Sequence, residues 1–130
     1  MIPTFHRKTL RKPDGRELSL YSRTPLDETY DLSHTLRRPR LSGAHLRWNP
    51  LFREWVAYAG HRQNRTFLPP AESNPLAPSI PGTGSSTELP AGHYDVAVFE
   101  NLFPSFSGEF TDSPECFLPT RPADGLCEVV

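Results

Sequence analysis

Leu46-Arg47-Trp48-Asn49-Pro50-Leu51-Phe52-Arg53-Glu54-Trp55-Val56-Ala57-Tyr58-Ala59-Gly60-His61-Arg62-Gln63-Asn64-Arg65 decides how the rest of the chain is read. A short strand ends in Asn-Pro, a turn follows, and a second strand is built on Trp55, Val56 and Tyr58. A polar loop with two arginines three residues apart completes the unit. This pattern predicts a β-hairpin that delivers a basic loop. Because the planar guanidinium fork grips phosphate oxygens in pairs, Arg62 and Arg65 are candidate phosphate ligands. The alternative is a pair of solvated surface arginines, and the loop alone does not choose between them. Trp48 and Trp55 read as packing anchors of the hairpin rather than ligand contacts.

Downstream, Tyr94 to Asn101 is the clearest strand. Period-two alternation puts Tyr94, Val96 and Val98 on one face and Asp95, Ala97, Phe99 and Asn101 on the other. Phe99 and Asn101 then project side by side, an aromatic ring beside an amide that can both donate and accept. That pair suits a nucleobase. The competing reading makes Phe99 core and has Asn101 end the strand by bonding its own backbone. Asp95 and Glu100 fall on opposite faces, which disfavours a paired-carboxylate mechanism.

Upstream, a polar and basic arm spans residues 1–16 and closes on Pro13-Asp14-Gly15, a turn signal feeding the alternation Glu17-Leu18-Ser19-Leu20-Tyr21. An opening hairpin or edge strand is expected there. Leu26 to Leu36 is expected to form one short helix, since Asp27 and Glu28 sit early and Arg37 and Arg38 follow its end. Residues 67–92 are rich in Pro, Ser, Gly and Thr and predict a long connection without regular structure. Gly125 to Val130 starts as a strand and stops in mid-pattern, so the expectation is a truncated domain.

Composition narrows the function classes. The chain has 130 residues, 15 prolines and a net charge of −1. That charge conceals thirteen Lys+Arg against six Asp+Glu through Arg65, and one against nine beyond it. A polarised chain of this kind can hold an anionic ligand at its basic half or pair its two halves. A nucleic-acid module is disfavoured, because the total is not basic and Lys8 and Lys12 are the only lysines. Cys116 and Cys127 make no disulfide framework, no apolar leader precedes them, and no run long enough for a membrane span occurs. A cytoplasmic protein acting on a small phosphorylated ligand is the expectation.

Arg47-Trp48-Asn49-Pro50-Leu51, Glu54-Trp55-Val56, His61-Arg62 and Arg65 resemble the N-terminal signature of galactose-1-phosphate uridylyltransferase, Arg-x-Asn-Pro-Leu, Trp-Val and Pro-His-Arg-x-x-Arg. Ala59-Gly60 stands where that family usually has Ser-Pro. Asp95 to Ser105 is similar to the family's strand ending in Phe-x-Asn. The likeness runs from about Thr9 to Val130, and since the complete enzyme is more than twice as long, it implies an N-terminal portion of one domain over residues 1–130.

The resemblance implies a uridylyl transfer by double displacement, in which a His-Pro-His-x-Gln histidine attacks the α-phosphorus of UDP-glucose and galactose 1-phosphate then takes the UMP group. His6, His34, His45, His61 and His93 form no His-x-His, so no catalytic residue is assigned and the nucleophile is expected beyond residue 130. His61 reads as loop structure rather than as a proton-transfer group. Arg62 and Arg65 match the family's two phosphate-approaching arginines, which serve the neighbouring subunit of a homodimer. Leu76 holds the place of the apolar residue that packs on uracil, and Phe99 and Asn101 match residues around uracil and ribose. Leu102 departs from the acidic residue many members direct at the ribose hydroxyls. Asn74 and Ala77 stand where many members have two zinc cysteines, and since neither supplies a thiolate, no metal is expected at this pair.

The fold expected is α+β, mainly antiparallel sheet with few short helices and long irregular loops, a truncated histidine-triad-like half domain. The function expected is that of the nucleotide-binding N-terminal segment of a hexose-1-phosphate uridylyltransferase, with UDP-glucose and hexose 1-phosphate as ligands. Two alternatives stand beside it. One is a noncatalytic nucleotide-binding or dimerisation fragment, the other a relative that phosphorolyses ADP-sugars or dinucleoside polyphosphates.

Overall fold

A computed structural model describes residues 1–40, 43–65, 69–84 and 86–130. Among the described residues seven strands form two sheets: β1 (His6–Arg11), β2 (Glu17–Ser22), β3 (His45–Asn49), β4 (Glu54–Tyr58), β5 (Val96–Glu100), β6 (Thr120–Pro122) and β7 (Glu128–Val129). The strand pairs are antiparallel throughout, which bears out the sheet-rich expectation. Among the described residues the helical content is two 3-10 turns, Gly60–Arg62 and Ala71–Ser73, so the α part of the expected α+β fold is corrected. No helix among them is long and apolar enough to cross a membrane.

The chain divides into two compact units, Met1–Arg38 with Leu68–Leu102 and Glu128–Val130, and Pro39–Phe67 with Phe103–Cys127. In the first unit the sheet order is β1-β2-β5-β7. Pro13-Asp14-Gly15 closes the β1–β2 hairpin as expected. Gly15 takes φ 91, and Lys12 N–H donates to the Arg16 carbonyl at 2.9 Å. A left-handed residue at the end of a three-residue loop matches the twist of the two strands it joins. Leu18 faces Phe99 and Leu20 faces Ala97 across the β2–β5 ladder. Leu18, Leu20 and Phe99 make the buried cluster, with Leu10, Leu26, Tyr30, Leu89 and Val129 packed against it.

Residues 26–36 form no helix. Lys8 Nζ donates to the carbonyls of Asp27 and Glu28. Tyr30 Oη accepts from Asp27 N at 3.0 Å and donates to the His93 carbonyl at 2.5 Å, while Asp27 Oδ2 accepts from His93 N at 2.7 Å. The Lys8 side chain thus takes up carbonyls that a helix would pair internally, and the segment's own Asp27 and Tyr30 side chains are spent on the His93 backbone. The connection expected over 67–92 is irregular apart from the 3-10 turn Ala71–Ser73 and a bridge between Pro78 and Leu89; residues 67, 68 and 85 of it lie outside the described residues.

The second unit has the order β4-β3-β6. Trp48 faces Trp55 directly across the β3–β4 hairpin, their rings edge to face with centroids 5.5 Å apart, a preferred aromatic geometry. Asn49 Oδ1 accepts from Leu51 N at 3.1 Å, so the Asn-Pro pair turns the chain as the sequence predicts. Ala44, Leu46, Phe110 and Ala123 are buried together, with Trp55, Ala59 and Phe106 against them.

Candidate functional site

The arginine loop leaves β4 as the 3-10 turn Gly60–Arg62, closed by Arg62 N donating to Ala59 O at 2.9 Å. Arg65 follows in a further turn, its N–H donating to the Arg62 carbonyl at 3.1 Å. Arg62 Nη1 donates to Ser105 Oγ at 2.9 Å, and the Arg65 guanidinium carbon lies 3.4 Å from the centroid of the Phe103 ring. Both side chains are exposed. A guanidinium stacked on an aromatic face keeps its in-plane N–H groups available to an oxyanion. His61 holds the turn from below: its Nε2 bonds the Pro104 carbonyl at 2.9 Å and its ring packs near Phe110. That bond fixes a proton on Nε2 and gives the imidazole a structural partner.

In the other unit, Phe99 lies near the end of β5, and Asn101 is the first residue past it. Phe99 is only 3% exposed, packed with Leu18 and Leu20, and the Lys12 ammonium stands 4.2 Å from its ring centroid. The expected stacking of Phe99 on a base gives way to a core position, because the sheet face it shares with Leu18 and Leu20 is packed against by Leu26, Tyr30, Leu32 and Leu89. Asn101 follows half-buried, with its carbonyl accepting from Arg38 Nη2 at 2.8 Å. Leu76 is 47% exposed on the long connection. Its N–H donates to Asn74 Oδ1 at 3.0 Å, and Ala77 N–H donates to the Asn74 carbonyl at 3.2 Å. Asn74 therefore serves as the side-chain cap of its own turn. That oxygen is thus engaged within the turn, and position 77 carries only a methyl.

The structure thus brings Arg62 and Arg65 together on one loop and Phe99 and Asn101 together at one strand end, with Leu76 on a third segment. It also reveals a group that sequence reading missed. Glu88, in the Pro/Ser/Gly-rich connection, is buried with Lys12 and Arg16. It accepts from Lys12 Nζ at 2.9 Å and from Arg16 Nη1 and Nη2 at 2.6 and 3.0 Å. Asp14 bonds Arg16 Nε at 2.7 Å. Burial depresses the Lys12 ammonium, outweighing the Glu88 hydrogen bond that favours its charge. Glu88 N–H donates to the Pro75 carbonyl and Ser79 N–H to the Leu89 carbonyl, so the buried carboxylate anchors the segment that carries Leu76. The only local signal was an acidic residue set before Leu89 in a stretch, residues 73–92, without any other charged side chain.

The chain is 38% identical over 136 residues to a galactose-1-phosphate uridylyltransferase from Streptomyces lividans. The match takes in 95% of this chain, which spans 30% of the length of that relative. The resemblance carried by the Arg47–Arg65 and Asp95–Ser105 motifs therefore holds along nearly all of the chain. No family model and no solved structure matches it.

Proposed function

We propose, from this relationship to galactose-1-phosphate uridylyltransferase, that the chain is the N-terminal, nucleotide-binding part of a hexose-1-phosphate uridylyltransferase. The observation that carries the reading is the match over 95% of the chain, with both arginines of the phosphate-binding motif present. Arg62 and Arg65 act on the phosphates of a UDP-sugar. Ser105 orients the first guanidinium and Phe103 supports the second. Asn101 and Leu76 serve the uridine, and Phe99 backs the strand end from within the core instead of stacking on the base. The histidine nucleophile is supplied by sequence outside these 130 residues, and the complete enzyme works as a cytoplasmic homodimer. Asn74 and Ala77 hold no metal; the turn and the Glu88 anchor order that segment.

Titration with UDP and with uridine tests the reading. Arg62→Ala is expected to weaken UDP binding about tenfold, the size of a lost hydrogen bond to a charged group, and to leave uridine unchanged. Equal losses for both ligands would contradict a phosphate role. The same titration with ADP separates this reading from an ADP-sugar or dinucleoside polyphosphate enzyme, for which adenine would be preferred. A noncatalytic nucleotide-binding or dimerisation role is the second reading. Mixing the chain with a polypeptide carrying the His-Pro-His half, and looking for uridylylated protein, decides between the two.

A further inference from the structure

Alternation along β3 sends Leu46 into the core of the second unit and His45, Arg47 and Asn49 to the opposite face of the three-stranded sheet. Arg47 is central there, flanked by Val56 on β4 and Thr120 on β6. An arginine at such a position is ordinarily loose and solvated. This one is fixed at two points. Its guanidinium carbon lies 4.3 Å from the Tyr58 ring centroid, and its Nε donates to His45 Nε2 at 2.9 Å. The His45 ring stacks parallel to Tyr58, 5.7 Å between centroids, and so locks the acceptor in place.

Both terminal nitrogens of Arg47 remain: no hydrogen bond or ion pair to them occurs among the described residues. Glu54, opposite Asn49 on the same face, makes no ion pair among those residues either. Beside Arg47 opens a cleft of about 450 Å³ whose walls include Val56, Tyr58, Phe117 and Leu118. Phe117 presents its whole ring to the surface. A cleft of this size with apolar and aromatic walls and one pre-oriented fork has the character of a small-molecule site. Two parallel N–H donors at its edge select an oxyanion.

We infer that this face is a second binding site, separate from the Arg62–Arg65 loop, for a small organic oxyanion carried on a flat apolar ring. Arg47 takes the phosphate or carboxylate in bidentate fashion, and Tyr58 and Phe117 enclose the ring. The site is tested by calorimetric titration of the full 130-residue chain with phenyl phosphate, benzoate, inorganic phosphate and benzyl alcohol. At least one aryl oxyanion is expected to bind saturably and about tenfold more tightly than both inorganic phosphate and benzyl alcohol. The stronger of phenyl phosphate and benzoate identifies the anion. Arg47→Gln should lose that binding, while Arg121→Gln, on the core-side face against Trp55, should retain it. Phe117→Ser should weaken the aryl ligand and leave inorganic phosphate unchanged; should Arg47→Gln not fold, Arg47→Lys keeps the charge without the fork and should still bind more weakly. Absence of saturable binding by either aryl oxyanion, or undiminished binding in the folded Arg47 variant, overturns the assignment.

Discussion

Arg16 and Glu88 meet fork to fork, Nη1 to Oε2 at 2.6 Å and Nη2 to Oε1 at 3.0 Å, with both side chains at most 3% exposed. Lys12 shares the same carboxylate, and Asp14 holds the other edge of Arg16. Two cations and two anions therefore balance within one buried group. Removing Glu88 alone leaves two buried cations facing Asp14. Glu88→Gln is expected to destabilise the fold by about 3–5 kcal/mol in urea unfolding, the usual cost of breaking a buried pair from one side. Lys12→Met should cost no more than about 1 kcal/mol, because the thioether can rest on the Phe99 ring and Arg16 still satisfies Glu88. Similar losses from both variants would mean that the cluster acts through packing alone.

Acid should act through the same corner. Burial tends to raise the Asp14 carboxyl, but hydrogen bonds from the Arg16 side chain and the Arg38 and Arg16 amides outweigh it and hold the group below its ordinary value. A carboxyl depressed in the folded state binds fewer protons than its unfolded counterpart. Its contribution is complete above the ordinary carboxylate value and is lost as the pH falls through and below it. Melting temperature measured from neutral pH downward should therefore drop in that acidic window. Asp14→Asn, already lower at neutral pH, should show a shallower drop; an unchanged slope would remove Asp14 from the account.

Gly92 is a backbone position where no side chain fits. Its φ is 129, and an added Cβ would stand 2.7 Å from both Asp27 Oδ2 and a Tyr30 ring carbon. Those two side chains are the ones that grip the His93 backbone. Gly92→Ala is expected to cost about 1–3 kcal/mol and to loosen the clasp over residues 27–30, seen as faster amide exchange at Asp27 and His93.

What was legible in the sequence was local. The β3–β4 hairpin announces itself through Asn49-Pro50 and the Trp55, Val56, Tyr58 strand, and β2 and β5 each through its own alternation, although only the structure pairs them and joins Leu18, Leu20 and Phe99 on one face. Alternation says which residues share a face without saying what that face meets, so Phe99 was assigned to a base and belongs to the core. The helix expected at Leu26–Leu36 failed for a related reason. Its charges suit a helix, but its polar groups are engaged by Lys8 and by the His93 backbone, some sixty residues away along the chain for the latter. β6 was hidden by Pro119 and Pro122, which an edge strand tolerates and a central one does not. Glu88 looked like loop composition because its partners, Lys12 and Arg16, sit more than seventy residues away.

The arginine loop yields the prediction that bears most directly on function. Arg65 rests on Phe103 at 3.4 Å, whereas Arg62 is tied to Ser105 by a hydrogen bond, so the two guanidinium groups are oriented by different forces. A cation over an exposed aromatic face gains about 0.5–1 kcal/mol. Phe103→Leu keeps the apolar bulk and removes the quadrupole, leaving Arg65 charged but free to swing. UDP binding should weaken about two- to fivefold by the same energy, with uridine binding unchanged, and adding Arg65→Ala to Phe103→Leu should cost less than Arg65→Ala alone. Ser105→Ala should act on Arg62 in the same way and independently of Phe103. If the Phe103 and Arg65 effects simply add, the ring does not position the arginine, and the loop binds phosphate through charge density without orientation.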